Sequence, residues 1–153
     1  MDFIKHWYHD RCIFVPMKKL SEKAVMPTYG HNGDACFDLY AIEDVTLRPG
    51  DIKMIRTGLA VAIPEGYEMI VRPRSGMSSK GIIIPNSPCT IDAGYRGEIK
   101  TPFMNVGDTI VGIKAGDRYA QGTVKPIWLV VFNEVEDLSD SDRGTGGFGS
   151  TGA

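Results

Sequence analysis

The sequence has few of the features that mark disulfide-rich, zinc-bound, membrane or nucleic-acid-binding proteins. Its three cysteines, Cys12, Cys36 and Cys89, are odd in number and none stands in C-x-x-C spacing, so we expect neither a disulfide framework nor a zinc site. The 17 Lys and Arg residues against 19 Asp and Glu leave a net charge of −2, which does not match a dedicated nucleic-acid binder. No apolar run approaches the roughly 20 residues of a membrane helix.

The first ten residues mix apolar and charged side chains, and no apolar stretch of a secretory signal follows them. We therefore expect no partnership with a membrane or with nucleic acid. The expected location is the cytoplasm, or the host cytoplasm or nucleus if the source is a virus.

Sustained helical periodicity is also missing, whereas glycine (18) and proline (9) together exceed the usual share of roughly 12%. Both residue types break helices, which argues against a helical bundle. Short stretches rich in β-branched residues recur between turn signals and predict a single all-β domain, a sandwich, jelly roll or barrel. The candidate strands include residues 13–15, 45–47, 58–63, 67–72, 82–84, 109–113 and 127–132.

One short helix is predicted after Arg74. Ser75 is a candidate cap at its beginning, and Gly81 is placed to end it. Arg74, the Ser75 hydroxyl and the backbone amides of this segment form a candidate anion site. The alternative is an ordinary turn, because Arg-Ser-Gly is common in turns.

A second candidate site lies in residues 86–100, which look like a hairpin with a turn at Ala93-Gly94. Asp92 at the shoulder of this turn can hold a water molecule, and Tyr95 can pack on a sugar. The alternative is an aspartate that only supports the turn through its side chain.

The end of the chain, residues 143–153, is rich in glycine. Repeated glycines let a backbone wrap closely around an anion. Arg143 adds a guanidinium suited to phosphate oxygens, and Phe148 adds a flat ring. A disordered Gly/Ser-rich end is the alternative, but a mere linker needs no aromatic side chain, so a lid over a flat base is favoured.

Taken in order, these segments resemble the five motifs of the trimeric dUTPase family, the deoxyuridine triphosphate nucleotidohydrolases. The matching segments are ACFDLYA at 35–41, PRSGMSSKG at 73–81, residues 86–99, RYAQ at 118–121, and residues 143–152. The resemblance implies a jelly-roll-like β-barrel or sandwich subunit with one short helix and a flexible Gly-rich C-terminal tail. It also implies a homotrimer whose three active sites are each shared among the chains.

On this basis the chain divides into three parts: an N-terminal extension (1–10), a dUTPase-like β domain (11–137) and a mobile tail (138–153) that closes over the active site. The implied reaction is the hydrolysis of dUTP to dUMP and pyrophosphate. It would keep uracil out of DNA and supply dUMP for thymidylate synthesis.

The resemblance assigns catalytic roles to Asp92, Asp38 and Arg143. Asp92 would be the general base for the attacking water, and Arg143 an arginine finger from a neighbouring subunit. Mg²⁺ would be held by the triphosphate and waters with no direct protein ligand. Asp38 would then stand in an outer shell of the metal, or merely cap a strand end.

The remaining site residues would bind substrate. Phosphates would be bound by Arg74, Ser75, Gly76 and Gln121, and the terminal phosphate by Gly149, Ser150 and Thr151. Arg118 would bind phosphate or pair with a structural carboxylate. Phe148 would stack on uracil, Asn86 and the backbone near Lys100 would read the uracil edge, and Tyr95 would exclude a ribose 2′-OH; Ile91 completes the set.

Cys36 and Cys89 depart from the family, which usually has glycine there. A Cβ restricts positive φ, so we expect small shifts of Asp38 and Asn86 with activity preserved. Two alternatives stay open. One is a dCTP deaminase or bifunctional deaminase–dUTPase of the same fold, which would need a carboxylic acid beside the base. The other is a dUTP-sensing regulatory binding protein.

Overall fold

The computed structural model describes residues 12–147, and in that range the chain forms ten β-strands and one short helix. The strands are β1 Met17–Lys19, β2 Phe37–Tyr40, β3 Val45–Leu47, β4 Ile52–Val61, β5 Tyr67–Pro73, β6 Ile82–Ile83, β7 Cys89–Ile91, β8 Glu98–Asn105, β9 Val111–Ile113 and β10 Arg118–Pro126; the helix is α1 Ser75–Ser78. This confirms the predicted all-β, jelly-roll-like fold with one short helix.

The strands form two four-stranded sheets and a two-stranded ribbon. One sheet has the order β1-β4-β8-β6, the other β2-β10-β5-β7, and the ribbon is β3-β9. All recorded pairings are antiparallel, and many join strands far apart in the chain, such as β2 with β10. The predicted turns therefore serve mostly to carry the chain from one sheet to another.

The hydrophobic core lies between the two larger sheets. The rings of Phe103 in β8 and Tyr119 in β10 meet edge to face, with their centroids 5.3 Å apart, and both are fully buried. The Tyr119 hydroxyl also donates to the carbonyl of Ile55 in β4 over 3.4 Å. Burial raises the pKa of this hydroxyl far above its usual value, so Tyr119 acts as a neutral link between the sheets.

Two of the candidate strands are wrong, and a proline stands beside each. Residues 13–15 are not a strand: pairing with β4 begins at Met17, after Pro16, which has no amide hydrogen to donate. Residues 127–132 are also irregular. They follow Pro126, which pairs with Tyr67 at the very beginning of β5, so the partner strand ends there.

The apolar side chains that follow Pro126 point into solvent within this chain. Trp128 is 93% exposed and Phe132 is 92% exposed. A patch of this kind on an isolated subunit is typical of a surface that another chain covers.

The short helix forms where predicted, but Ser75 is not its cap. The N-cap residue is Arg74, in an extended conformation and without a side-chain capping hydrogen bond. Gly81 follows the helix with φ +76°, and a Cβ there would lie 2.7 Å from the Gly107 amide nitrogen. The helix itself ends at Ser78, with Ser79 as its C-cap, and a further turn carries the chain to Gly81, where only glycine fits that approach.

No helix in residues 12–147 is long and apolar enough to cross a membrane. The predicted boundary between the β domain and the tail at residue 137 stays a prediction. The last strand ends earlier, at Pro126, and the first ten residues lie outside the described part of the chain.

Candidate active site

The first cluster of predicted site residues is built around Asp38. Asp38 lies inside β2, where its backbone pairs with Gln121 of β10 and its amide donates to the Thr28 carbonyl over 2.7 Å. It is therefore not a strand-end cap. Its side chain is only 10% exposed and receives two guanidinium groups, Arg74 Nε at 2.9 Å and Arg118 Nη1 at 3.3 Å.

The same sheet brings the helix into this cluster. Ala120 pairs with Pro73 across β10 and β5, and the Gln121 side-chain amide donates to the Pro73 carbonyl over 3.0 Å. Arg74 in turn donates to the Arg118 carbonyl over 3.3 Å. Ser75 and Gly76 follow directly and are exposed. We name Asp38, Arg74, Arg118 and Gln121 the arginine cluster.

Two arginines on one carboxylate leave the cluster with a surplus positive charge. Arg118 was expected to bind phosphate or to pair with a structural carboxylate, and here it pairs with Asp38. The outer-shell metal role of Asp38 stays a prediction, and both of its oxygens already face a guanidinium. Within residues 12–147, no group of three or more His, Cys, Asp or Glu side chains is placed to hold a metal ion.

We expect Asp38→Asn to destabilise the protein by about 2 kcal/mol, because the amide keeps one acceptor oxygen but loses one charged hydrogen bond, which is worth about that much. Urea unfolding at fixed protein concentration measures the change. Asp44→Asn is the control: Asp44 pairs with Lys114 at 2.8 Å, but both side chains are mostly exposed, so little change is expected. Equal stability of both variants would contradict the arginine cluster as described.

The second cluster lies at the turn between β7 and β8. The turn is closed by the Tyr95 amide, which donates to the Asp92 carbonyl over 3.0 Å around Ala93-Gly94, as predicted. Asp92 is exposed and Tyr95 is 43% exposed. Beside them is a cavity of about 200 Å³, lined by Cys89, Thr90, Ile91, Asp92, Tyr95, Glu98, Ile99 and Lys100. We name this the turn cavity.

The predicted hairpin is wrong in its pairing. β7 pairs with β5 in one sheet, whereas β8 pairs with β4 and β6 in the other. The chain therefore crosses between the sheets at this turn. Ile91 and Ile99 are both buried, each in the core from its own sheet.

The backbone strain considered for Cys89 does not arise. Cys89 lies in strand β7, paired with Val71, where the backbone is extended and no positive φ is needed. Burial raises the pKa of its thiol, and a hydrogen bond with Asn86 offsets this in part. Cys36 is half-buried at the bend before β2.

The two clusters lie far apart within one chain. Ile91 pairs with Met69 in β5, so Asp92 follows opposite Glu68, and Arg74 is six residues further along the same strand direction. At 3.2–3.4 Å per strand residue, Asp92 and Arg74 are separated by roughly 20 Å. The turn cavity is also smaller than the roughly 300–1,000 Å³ of a complete small-molecule site.

The predicted residues of the tail are placed only in part. Arg143 is exposed in a turn, where its carbonyl accepts a hydrogen bond from the Gly146 amide over 3.1 Å. Phe148, Gly149, Ser150 and Thr151 lie outside the described residues, so their roles stay predictions.

Two residues with a place in the site were missed by the sequence reasoning. Glu98 lines the turn cavity, and Arg56 of β4 holds its carboxylate with Nε at 3.1 Å. Glu98 lies within the third motif, which could have drawn attention to it. Arg56 lies outside all five motifs and carries no comparable signal.

Comparison with known proteins agrees with these observations. The family model described as dUTPase matches residues 22–152. A deoxyuridine 5'-triphosphate nucleotidohydrolase of Clostridioides difficile is 47% identical over 137 residues, covering 89% of this chain and 96% of the relative. A protein of the same name from Nautilia profundicola is 49% identical over 137 residues, with the same two coverages.

Solved structures give the same result. The dUTPase of Staphylococcus bacteriophage 80alpha with dUPNHPP superposes with a TM-score of 0.85 at 34% identity, covering 92% of this chain and 99% of the phage chain. A mutant dUTPase of the S. aureus phage phi11, described by its structural Mg(II) ion, gives a TM-score of 0.76 at 31% identity, covering 82% and 98%.

Two facing antiparallel sheets with one short helix define a jelly-roll-like all-β protein, and its polar clusters lie on the loops and strand ends of that frame. The family model matches residues 22–152, which is most of the chain, and the chain therefore belongs to the dUTPase family.

Proposed function

We propose that this chain hydrolyses dUTP to dUMP and pyrophosphate, the reaction named in its relatives. The observation that carries this is the turn cavity. It places an exposed carboxylate, Asp92, beside the Tyr95 ring and the backbone edge leading to Lys100. Cleavage of a pyrimidine deoxynucleotide requires a general base, an apolar surface of the size of a sugar, and a polar edge.

In the proposed mechanism, Asp92 holds a water molecule and takes its proton as the oxygen attacks the α-phosphorus. Its exposure supports this role, because water reaches it freely. A positioned carboxylate of this kind contributes typically 10²–10⁴-fold to the rate. The departing group is pyrophosphate.

Phosphoryl transfer otherwise depends on positioning and on neutralising charge. Arg74 supplies the guanidinium, while Ser75, Gly76 and Gln121 supply hydrogen-bond donors to phosphate oxygens. Mg²⁺, if bound with the triphosphate, would supply further neutralisation of charge.

Recognition of the base is assigned to Asn86 and the backbone near Lys100, and Ile91 forms part of the cavity wall. A site built to bond the edge of uracil rejects cytosine, because its own polar groups would be left unpaired. Phe148 stacks on uracil, and Arg143 with Gly149, Ser150 and Thr151 closes over the phosphates. Residues 148–151 lie outside the described part of the chain, so these roles of the tail are proposals.

We further propose a homotrimer with shared active sites. Support comes from the separation of roughly 20 Å between Asp92 and Arg74, which is too long for one phosphate group to bridge. The exposed apolar side chains after Pro126 give a second argument, because they offer a surface for a neighbouring copy.

The deaminase alternative is weakened by the state of Glu98. It is the one carboxylate besides Asp92 among the residues that line the turn cavity. Its two oxygens are bound by Arg56, by the Gly58 amide at 2.9 Å and by Lys100 at 3.7 Å. A carboxyl group whose two oxygens both already face donors is poorly placed to act as the acid beside the base that deamination needs.

A pyrophosphate-release assay with Mg²⁺ tests the function directly. With dUTP, dCTP, dTTP and UTP compared at equal concentration, we expect rapid release from dUTP and little from the other three. A parallel chromatographic analysis detects deamination, and ammonia release from dCTP would overturn the assignment. Tight dUTP binding without turnover would instead favour the sensing role.

A further inference from the structure

We propose that the Arg56–Glu98 ion pair positions Tyr95, and that it thereby sets the preference of the enzyme for deoxyribose over ribose nucleotides. The inference rests on the proposed function and on the proposed packing of Tyr95 against the sugar. It assigns a role to two residues that do not themselves touch the reacting atoms.

The Glu98 carboxylate is the centre of a dense set of contacts. Its side chain is only 9% exposed. Arg56 Nε lies 3.2 Å from Oε1 and 3.1 Å from Oε2, the Gly58 amide donates to Oε1 over 2.9 Å, and Lys100 Nζ lies 3.7 Å from Oε2. A nearly buried charge with this many donors is held in one place.

The contacts occur where the β4–β8 ladder is interrupted. The register between these strands shifts between Arg56 and Ala60, and Gly58 stands in the bulge with φ +65°. The Glu98 carboxylate accepts the Gly58 amide there, in place of a ladder carbonyl. The side chain of Glu98 therefore fixes its own backbone to the neighbouring strand.

Tyr95 is fixed in turn by the backbone of Glu98. Its hydroxyl donates to the Glu98 carbonyl over 2.9 Å. Its ring lies over Gly97, where an added Cβ would overlap the Tyr95 oxygen and lie 2.6 Å from Cζ. Tyr95 can therefore take this position only above a glycine and only with the Glu98 carbonyl in place.

The chain of contacts runs from Arg56 through the Glu98 carboxylate and backbone to the Tyr95 hydroxyl. If the ion pair is lost, Glu98 keeps only its ladder pairing with Ala60, and its carbonyl, which holds the Tyr95 hydroxyl, is less firmly fixed at the bulge. A surface that fits a deoxyribose then has room for the extra hydroxyl of a ribose. The expected result is lost discrimination rather than lost chemistry.

Glu98→Gln tests this, because it keeps the shape and one acceptor oxygen for Gly58 but removes the charge. The measurement is kcat and KM for dUTP and UTP, together with the melting temperature. We expect the ratio of kcat/KM for dUTP over UTP to fall by about tenfold, mainly through a lower KM for UTP. Arg56→Lys, which keeps the charge but not the paired geometry, should fall between wild type and Glu98→Gln.

Glu43→Gln is the matched control. Glu43 contacts the same arginine from its other side, Nη1 to Oε2, but at 3.9 Å and with 46% of its side chain exposed. We expect its dUTP-to-UTP ratio to equal that of wild type. A lower melting temperature in Glu98→Gln with an unchanged ratio would mean a purely structural role and would overturn the proposal.

If Glu98→Gln fails to fold, Arg56→Met replaces it, since the Arg56 side chain is 45% exposed and less costly to change. An unchanged ratio in that variant overturns the proposal equally. A wild-type protein that does not hydrolyse dUTP refutes the proposed function and this inference with it. A wild-type protein that does, with a ratio insensitive to both variants, refutes this inference alone.

Discussion

We expect Asp92→Asn to lower kcat for dUTP by about 10²–10⁴-fold, because the amide cannot accept a proton from the attacking water. Binding of dUTP should change little, since the substitution keeps the shape of the turn and its main-chain hydrogen bond to Tyr95. Pyrophosphate release measures the first, and calorimetry with the non-hydrolysed analogue dUPNHPP measures the second.

Asp108→Asn is the control for this variant. Asp108 is also an exposed carboxylate in a loop, between β8 and β9, and it has no proposed role. Its turnover should equal that of wild type. Unchanged turnover in Asp92→Asn would remove the general base from the mechanism and leave the turn cavity with binding alone.

The second large effect that we expect is a recovery of activity when two inactive variants are refolded together. Asp92→Asn and Arg74→Met should each be nearly inactive as pure proteins. If one site takes Asp92 from one copy and Arg74 from another, co-refolded mixtures of equal amounts should regain about a quarter of wild-type activity, by random assembly into a cyclic oligomer. The separation of roughly 20 Å within one chain is the reason to expect this.

Two controls accompany the mixing experiment. The same variants mixed without refolding should stay inactive, because chains must exchange to form a mixed site. Arg74→Met mixed with Gln121→Ala should show no activity beyond the average of the two variants, because both residues lie in the arginine cluster of one chain. No recovery in the first mixture would show that each site is complete within its own subunit.

Local features of the fold were predictable from the sequence. Gly81 and the turn at Ala93-Gly94 were found because glycine and tight turns leave a local trace that does not depend on distant partners. The strands predicted at 13–15 and 127–132 are wrong, because the sequence does not show where the partner strand ends. Their composition is that of strands, but Pro16 and Pro126 stand where the available ladders stop.

The site was predictable as a set of residues but not as an arrangement. The motif resemblance supplied Asp38, Arg74 and Arg118, yet nothing local says that both arginines meet one carboxylate. That contact depends on the pairing of β2 with β10, which joins distant parts of the chain. The ion pair between Arg56 and Glu98 could not be predicted for the same reason, because it depends on a bulge in a long-range ladder.

The end of strand β10 at Pro126 has a consequence for a single chain that is not covered by another. The six residues that follow it, Ile-Trp-Leu-Val-Val-Phe, carry no charge, no proline and strong β propensity, and they are exposed. Such a segment is a template for cross-β aggregation while it is uncovered. If the proposed trimer covers this segment, newly made chains can aggregate before they assemble, and dilution, which slows assembly, prolongs the time for which the segment is exposed.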